Sequence, residues 1–124
     1  MSDLNLNRDS SFLWDMLEAS RSVLEFVRDR AFEDYLNDKF LRSAVERQIE
    51  IIGEAARHVS DEYRQLHVEI PWRQIMAQRN VLAHDYGDLK HDRIWRVATI
   101  HVGELIGLLE PLVPPSPAPC DPQA

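Results

Sequence analysis

Leu41-Arg42-Ser43-Ala44-Val45-Glu46-Arg47-Gln48-Ile49-Glu50-Ile51-Ile52-Gly53-Glu54-Ala55-Ala56-Arg57-His58-Val59 is the stretch on which the fold turns. Leu41, Ala44, Val45, Gln48, Ile49, Ile52, Ala55, Ala56 and Val59 recur in steps of three and four, the spacing of one face of an α-helix. Asn37 or Asp38 stands ready as its cap. Gly53 lies inside that stripe with no turn to make, at a cost of about 1 kcal/mol against alanine, and so marks a place where another helix crosses closely. Glu46, Glu50 and Glu54 share a second face. Arg42, Arg47 and Arg57 stand at helical-neighbour spacings to them, and Glu54 with His58 lacks the Glu-x-x-His spacing of di-iron bundles, so these carboxylates read as a salt-bridged surface.

The same period predicts the neighbouring elements. Toward the N-terminus, Ser10 and Ser11 are candidate caps for a helix running to about Arg30, with Phe12, Leu13, Met16, Leu17, Ser20, Leu24 and Val27 facing the core. Phe32, Tyr35 and Leu36 follow in a short connection that covers one end of the bundle. Toward the C-terminus, Ser60 caps a short amphipathic turn through Tyr63 and Leu66. Pro71, at a first helical position, opens a helix carrying Trp72, Ile75, Met76, Arg79, Leu82 and Ala83, which Gly87 and Asp88 stop. A last helix is predicted from Asp88 or Leu89 to Glu110, with Ile94, Val97, Ala98, His101, Leu105, Leu108 and Leu109 inward. Gly103 and Gly107 are spaced for close helix packing, within the chain or at a dimer seam. His101 reads as a hydrogen-bonded core histidine.

With four glycines, no sustained alternation of period two and six of the seven prolines at or beyond Pro111, the chain is predicted all-α. The expected architecture is an antiparallel bundle of four to five helices in a single domain over residues 1–110. Residues 111–124, six of them proline, form a tail expected to be disordered. With a polar N-terminus and no long apolar run, neither a membrane span nor a secretory core is expected. The only cysteine, Cys120, lies in that tail, which excludes an internal disulfide and fits the cytoplasm. The net charge of −7 argues against a general nucleic-acid coat. Its distribution is uneven: residues 1–70 carry 9 basic and 15 acidic side chains, whereas residues 71–101 carry 5 and 3. The one net-positive stretch contains the residues with the most chemistry.

Those residues are Arg79-Asn80-Val81-Leu82-Ala83-His84-Asp85-Tyr86. Arginine is a permanent cation whose planar fork fits phosphate oxygens, and histidine both gives and takes a proton near neutral pH. On a straight helix Arg79 and Tyr86 share a face, while His84 lies about 140° around the axis from Arg79. Either the helix unwinds near Ala83 to Tyr86, as Gly87 permits, or a second copy of the chain completes the site. A plainer reading remains beside both, in which Arg79 forms an ion pair and His84 and Asp85 merely end a helix. No spacing of His84, His91 and His101 with Asp88 and Asp92 matches a metal site, and none is expected.

The spacing of Arg79, His84 and Tyr86, Arg-x4-His-x-Tyr, resembles the signature of the HepT-like toxins of the HEPN superfamily. The likeness extends to Gln48 through Ala56 and to Ile70-Pro71-Trp72-Arg73-Gln74-Ile75, and covers roughly Asn7 to Leu112. This resemblance implies a helical bundle paired about a two-fold axis. It implies the toxin of a type VII-like toxin–antitoxin pair, a metal-independent endoribonuclease leaving 2′,3′-cyclic phosphates, with no cofactor. Arg79 and His84 would be catalytic, Asn80 and Tyr86 would bind the RNA, and a nucleotidyltransferase antitoxin would attach AMP to Tyr86, with higher hetero-oligomers possible. The alternative is a non-catalytic helical dimer that binds a nucleotide or RNA and partners a nucleotidyltransferase.

Overall fold

The structure, a computed structural model, describes residues 3–84 and 87–113, with side chains from Arg8 onward. Every regular element among them is helical: α1 (Asp3–Val27), α2 (Phe32–Asn37), α3 (Lys39–His58), α4 (Asp61–Leu66), α5 (Trp72–His84), α6 (Gly87–Arg96) and α7 (Val102–Leu109). A π-helical turn, Val97–His101, joins α6 to α7, and a 3-10 turn, Glu110–Leu112, follows. The predicted all-α class holds. The proline-rich residues beyond Val113 lie outside the described residues, as do Asp85 and Tyr86.

Two layers of apolar side chains show how the helices run. One gathers Leu13, Met16, Ile52, Val59, Trp72 and Leu109, and the other Val23, Val27, Val45, Ile49, Ile94 and Val102. α1 and α5 pass from the first layer to the second, whereas α3 and the α6–α7 rod pass back. The bundle is therefore antiparallel. Burial of each such aliphatic side chain contributes about 1.5–3 kcal/mol, enough for the stripe on α3 to dominate its weak intrinsic preferences.

The local signals in α3 are met. Asp38 accepts a hydrogen bond from the Leu41 amide at 3.0 Å, and Ser60 likewise caps α4 by accepting from Tyr63 at 3.2 Å. Pro71 sits one position earlier than predicted, its carbonyl accepting the first bond of α5 from the Ile75 amide at 3.0 Å. Arg47 and Arg57 pair with Glu50 and Glu54 at 3.1 and 3.2 Å. Arg42 instead donates to the Tyr35 and Leu36 carbonyls at the end of α2.

Other expectations are corrected. α1 begins at Asp3, upstream of Ser10 and Ser11, and Asp9 is buried within it. Its Oδ1 and Oδ2 accept from the Ser60 amide at 2.8 Å and hydroxyl at 2.7 Å, so the start of α1 is tied to the start of α4. Leu24 lies at the exposed edge of the α1 stripe, which Val23 occupies instead. The connection through Phe32, Tyr35 and Leu36 is itself a helix, opened by the Ala31 amide donating to Asp34.

The last helix breaks its expected register. The π turn accommodates an extra residue, so the buried stripe continues through Val102 and Leu109. His101 is turned outward and its Nδ1 pairs with Glu104 at 3.2 Å; it is not a core histidine. Gly103 and Gly107 face open space, and no helix of the described chain packs on them.

Candidate functional site

Between α3 and α5 lies a cleft of about 670 Å³, which Arg47, Glu50 and Arg57 line from one side and Arg79, Asn80 and Ala83 from the other. It forms because two helices cross at Gly53. A methyl group added there would stand 3.3 Å from Arg79 Cγ and 3.4 Å from the Ile75 carbonyl, so glycine lets α5 approach and lets the Arg79 stem lie across α3. The close crossing read from Gly53 is present. Its partner, Arg79, was not legible.

Arg79 reaches past Gly53 to Glu54, with Nη1 3.4 Å from Oε1. The second oxygen of Glu54, Oε2, is 3.2 Å from both Arg57 Nη2 and His58 Nε2. The Arg57 hydrogen bond, with the charges of Arg57 and Arg79, holds the Glu54 carboxyl below its ordinary range. At the far end of the cleft, Glu46 pairs with Lys90 of α6 at 3.3 Å. Three arginines thus line one cleft, an arrangement that suits the phosphates of a polyanion.

The structure brings Arg79 and Asn80 together on the cleft and leaves His84 outside its lining. α5 stays helical through His84, which is exposed at its end, so Arg79 and His84 keep the wide separation of a straight helix. Unwinding before His84 does not occur. Tyr86, expected to bind substrate and to carry the modification, lies outside the described residues. Gly87 follows with φ +66°, a left-handed conformation that glycine adopts freely, and opens α6. Sequence reasoning missed the role of Glu54 beside Arg79, because the two are far apart in the chain and only the glycine between them hinted at contact.

A second, larger groove of about 830 Å³ runs between α5 and α7 over Ile49 and Ile52, with Ile75, Val102, Leu105 and Leu108 in its walls. It is apolar, and the chemistry gathers at the other cleft. No group of three or more metal-ligating side chains occurs among the described residues, and no described helix is long and apolar enough to cross a membrane.

Fold and cleft together define a small helical bundle with an arginine-lined site on one helix pair. The chain belongs to the ribonuclease HepT-like family, whose description matches residues 16–112. It is 38% identical over 101 residues to the "Probable ribonuclease HepT" of Thermococcus cleftensis, covering 82% of this chain and 92% of that one. It is 36% identical over 87 residues to the "Putative RNase MJ1380" of Methanocaldococcus jannaschii, covering 70% and 80%. No solved structure matches the chain significantly.

Proposed function

We propose that this chain is the toxin of a type VII-like toxin–antitoxin pair, a metal-independent endoribonuclease that works as a homodimer. The observation that carries the reading is a match to a ribonuclease family in a chain whose Arg79 and Asn80 line one cleft. RNA contains its own nucleophile. The 2′-oxygen attacks the neighbouring phosphorus and gives up its proton to a base. The bond from phosphorus to the 5′-oxygen breaks, and that oxygen takes a proton. The products are a 2′,3′-cyclic phosphate and a 5′-hydroxyl, with no water consumed.

Each side chain has a part in that sequence. Arg79 holds the phosphate oxygens as negative charge grows on them, and Asn80 donates a further hydrogen bond. His84 moves the proton, as base when neutral and as acid when charged. Because α5 is helical through His84, Arg79 and His84 diverge within one chain, which supports a site assembled from two copies about a two-fold axis. Tyr86 helps seat the RNA. A nucleotidyltransferase antitoxin silences the site by attaching AMP to Tyr86, placing a bulky anion where an anionic substrate must lie.

Expression should arrest growth and leave cellular RNA fragments ending in cyclic phosphate, and Arg79→Ala or His84→Ala should relieve both effects. Growth arrest with intact RNA, or arrest that both variants retain, would refute the nuclease reading. For the control step, co-expression with the antitoxin should raise the intact mass by whole AMP units, and Tyr86→Phe should abolish that rise. A mass increase that survives Tyr86→Phe would place the modification elsewhere.

A further inference from the structure

The arginine on which the proposed cleavage depends does not stand free in its cleft. Its stem crosses Gly53, where a methyl group would meet Cγ at 3.3 Å and Cδ at 3.8 Å, and its Nη1 meets Glu54 Oε1 at 3.4 Å. Glu54 is itself fixed from the other side. Oε2 takes contacts of 3.2 Å from Arg57 and His58, and the His58 ring stacks on Phe12 with centroids 5.2 Å apart.

Stability does not account for this arrangement. The Arg79 and Glu54 side chains are 44% and 42% exposed, and exposed ion pairs contribute about 0–1 kcal/mol. Nor does substrate binding, because a carboxylate beside a phosphate site repels the phosphate. What the contact does is remove freedom. A free arginine side chain carries about 2 kcal/mol of rotamer entropy, and here the seat on Gly53 restricts its stem while Glu54 restricts its head. The contact with Glu54 runs through Nη1, so it does not take up the donors on Nε and Nη2.

We infer that Glu54 is a positioning residue: seated over Gly53, it orients the Arg79 guanidinium toward the scissile phosphate. The inference rests on the reading of Arg79 as the phosphate-holding group. It separates two kinetic effects. Removing the Glu54 charge loosens Arg79, which lowers the rate of the chemical step, and it also relieves repulsion of RNA, which leaves binding unchanged or tighter.

The test compares wild type, Glu54→Gln, Glu54→Asp and Gly53→Ala by single-turnover cleavage of a short RNA and by ¹⁵N NMR of the arginine guanidinium groups, with thermal melts as the check on folding. The Arg79 guanidinium should rotate slowly in wild type and freely in Glu54→Gln. In that variant kcat should fall about tenfold to a hundredfold while KM stays level or falls. Glu54→Asp should recover part of the loss, and Gly53→Ala should lower kcat by displacing the Arg79 stem. Unchanged guanidinium rotation in Glu54→Gln, or a fall in melting temperature with kcat untouched, would overturn the inference. A wild type that leaves RNA intact refutes the cleavage reading instead, and the guanidinium spectra then decide alone whether Glu54 holds Arg79.

Discussion

Tyr35 is fully buried, its ring 5.3 Å from Trp95, 5.9 Å from His91 and 6.4 Å from Phe32 between centroids. Its hydroxyl has no hydrogen-bond partner among the described residues, an arrangement that costs about 1–3 kcal/mol of desolvation. Burial first, and the Glu46 carboxylate second, push the phenol well above its ordinary value, against a smaller opposing effect of Arg42. The folded chain therefore holds this proton more tightly than the unfolded chain does. Stability is complete below the ordinary tyrosine pKa near 10 and falls as pH rises beyond it. Tyr35→Phe keeps the ring and removes the hydroxyl. At pH 7 it should leave stability unchanged or raise it by about 1 kcal/mol, and it should flatten the decline above pH 10. Urea midpoints from pH 7 to 11 measure both, and a loss of stability at pH 7 would show that the hydroxyl is satisfied.

At the scale of elements, Asp9 joins the start of α1 to the start of α4. The residue is 2% exposed, and its carboxylate accepts from both the Ser60 amide and hydroxyl. Asp9→Ala leaves both Ser60 donors without that acceptor, and should cost about 2–3 kcal/mol in chemical denaturation. A change under 0.5 kcal/mol, the ordinary size for a surface position, would show that α1 does not brace α4.

What was legible in the sequence follows from the same distinction between near and distant partners. The α3 stripe, the Asp38 and Ser60 caps and the Gly53 crossing could be read because each signal lies within a turn or two of the chain. Asp9 could not, because its partner Ser60 is 51 residues away. His101 was misplaced because periodicity assumes an unbroken α-helix, and a π turn shifts the stripe by one residue without altering composition. In the candidate site Arg79 and Asn80 were legible as chemistry, whereas the carboxylate beside Arg79 depends on which helices cross.

For the whole molecule, the straight run of α5 through His84 makes the pairing of subunits part of the proposed catalysis. Arg79→Ala and His84→Ala chains should each be inactive alone. Unfolded together and refolded, they should regain about a quarter of wild-type activity, since half of the dimers are mixed and each mixed dimer holds one intact site of two. A mixture that stays inactive would place Arg79 and His84 of one site in the same chain.

In the proposed function Arg79 and His84 cut RNA without a metal. The most direct measurement is to incubate the purified protein with a single-stranded RNA in EDTA and to analyse the ends of the fragments. Wild type should give 2′,3′-cyclic phosphate and 5′-hydroxyl ends, a substrate with 2′-deoxyribose at the cut position should give no product, and neither should His84→Ala. RNA that is bound but uncut, or cleavage that persists in His84→Ala, would contradict that function.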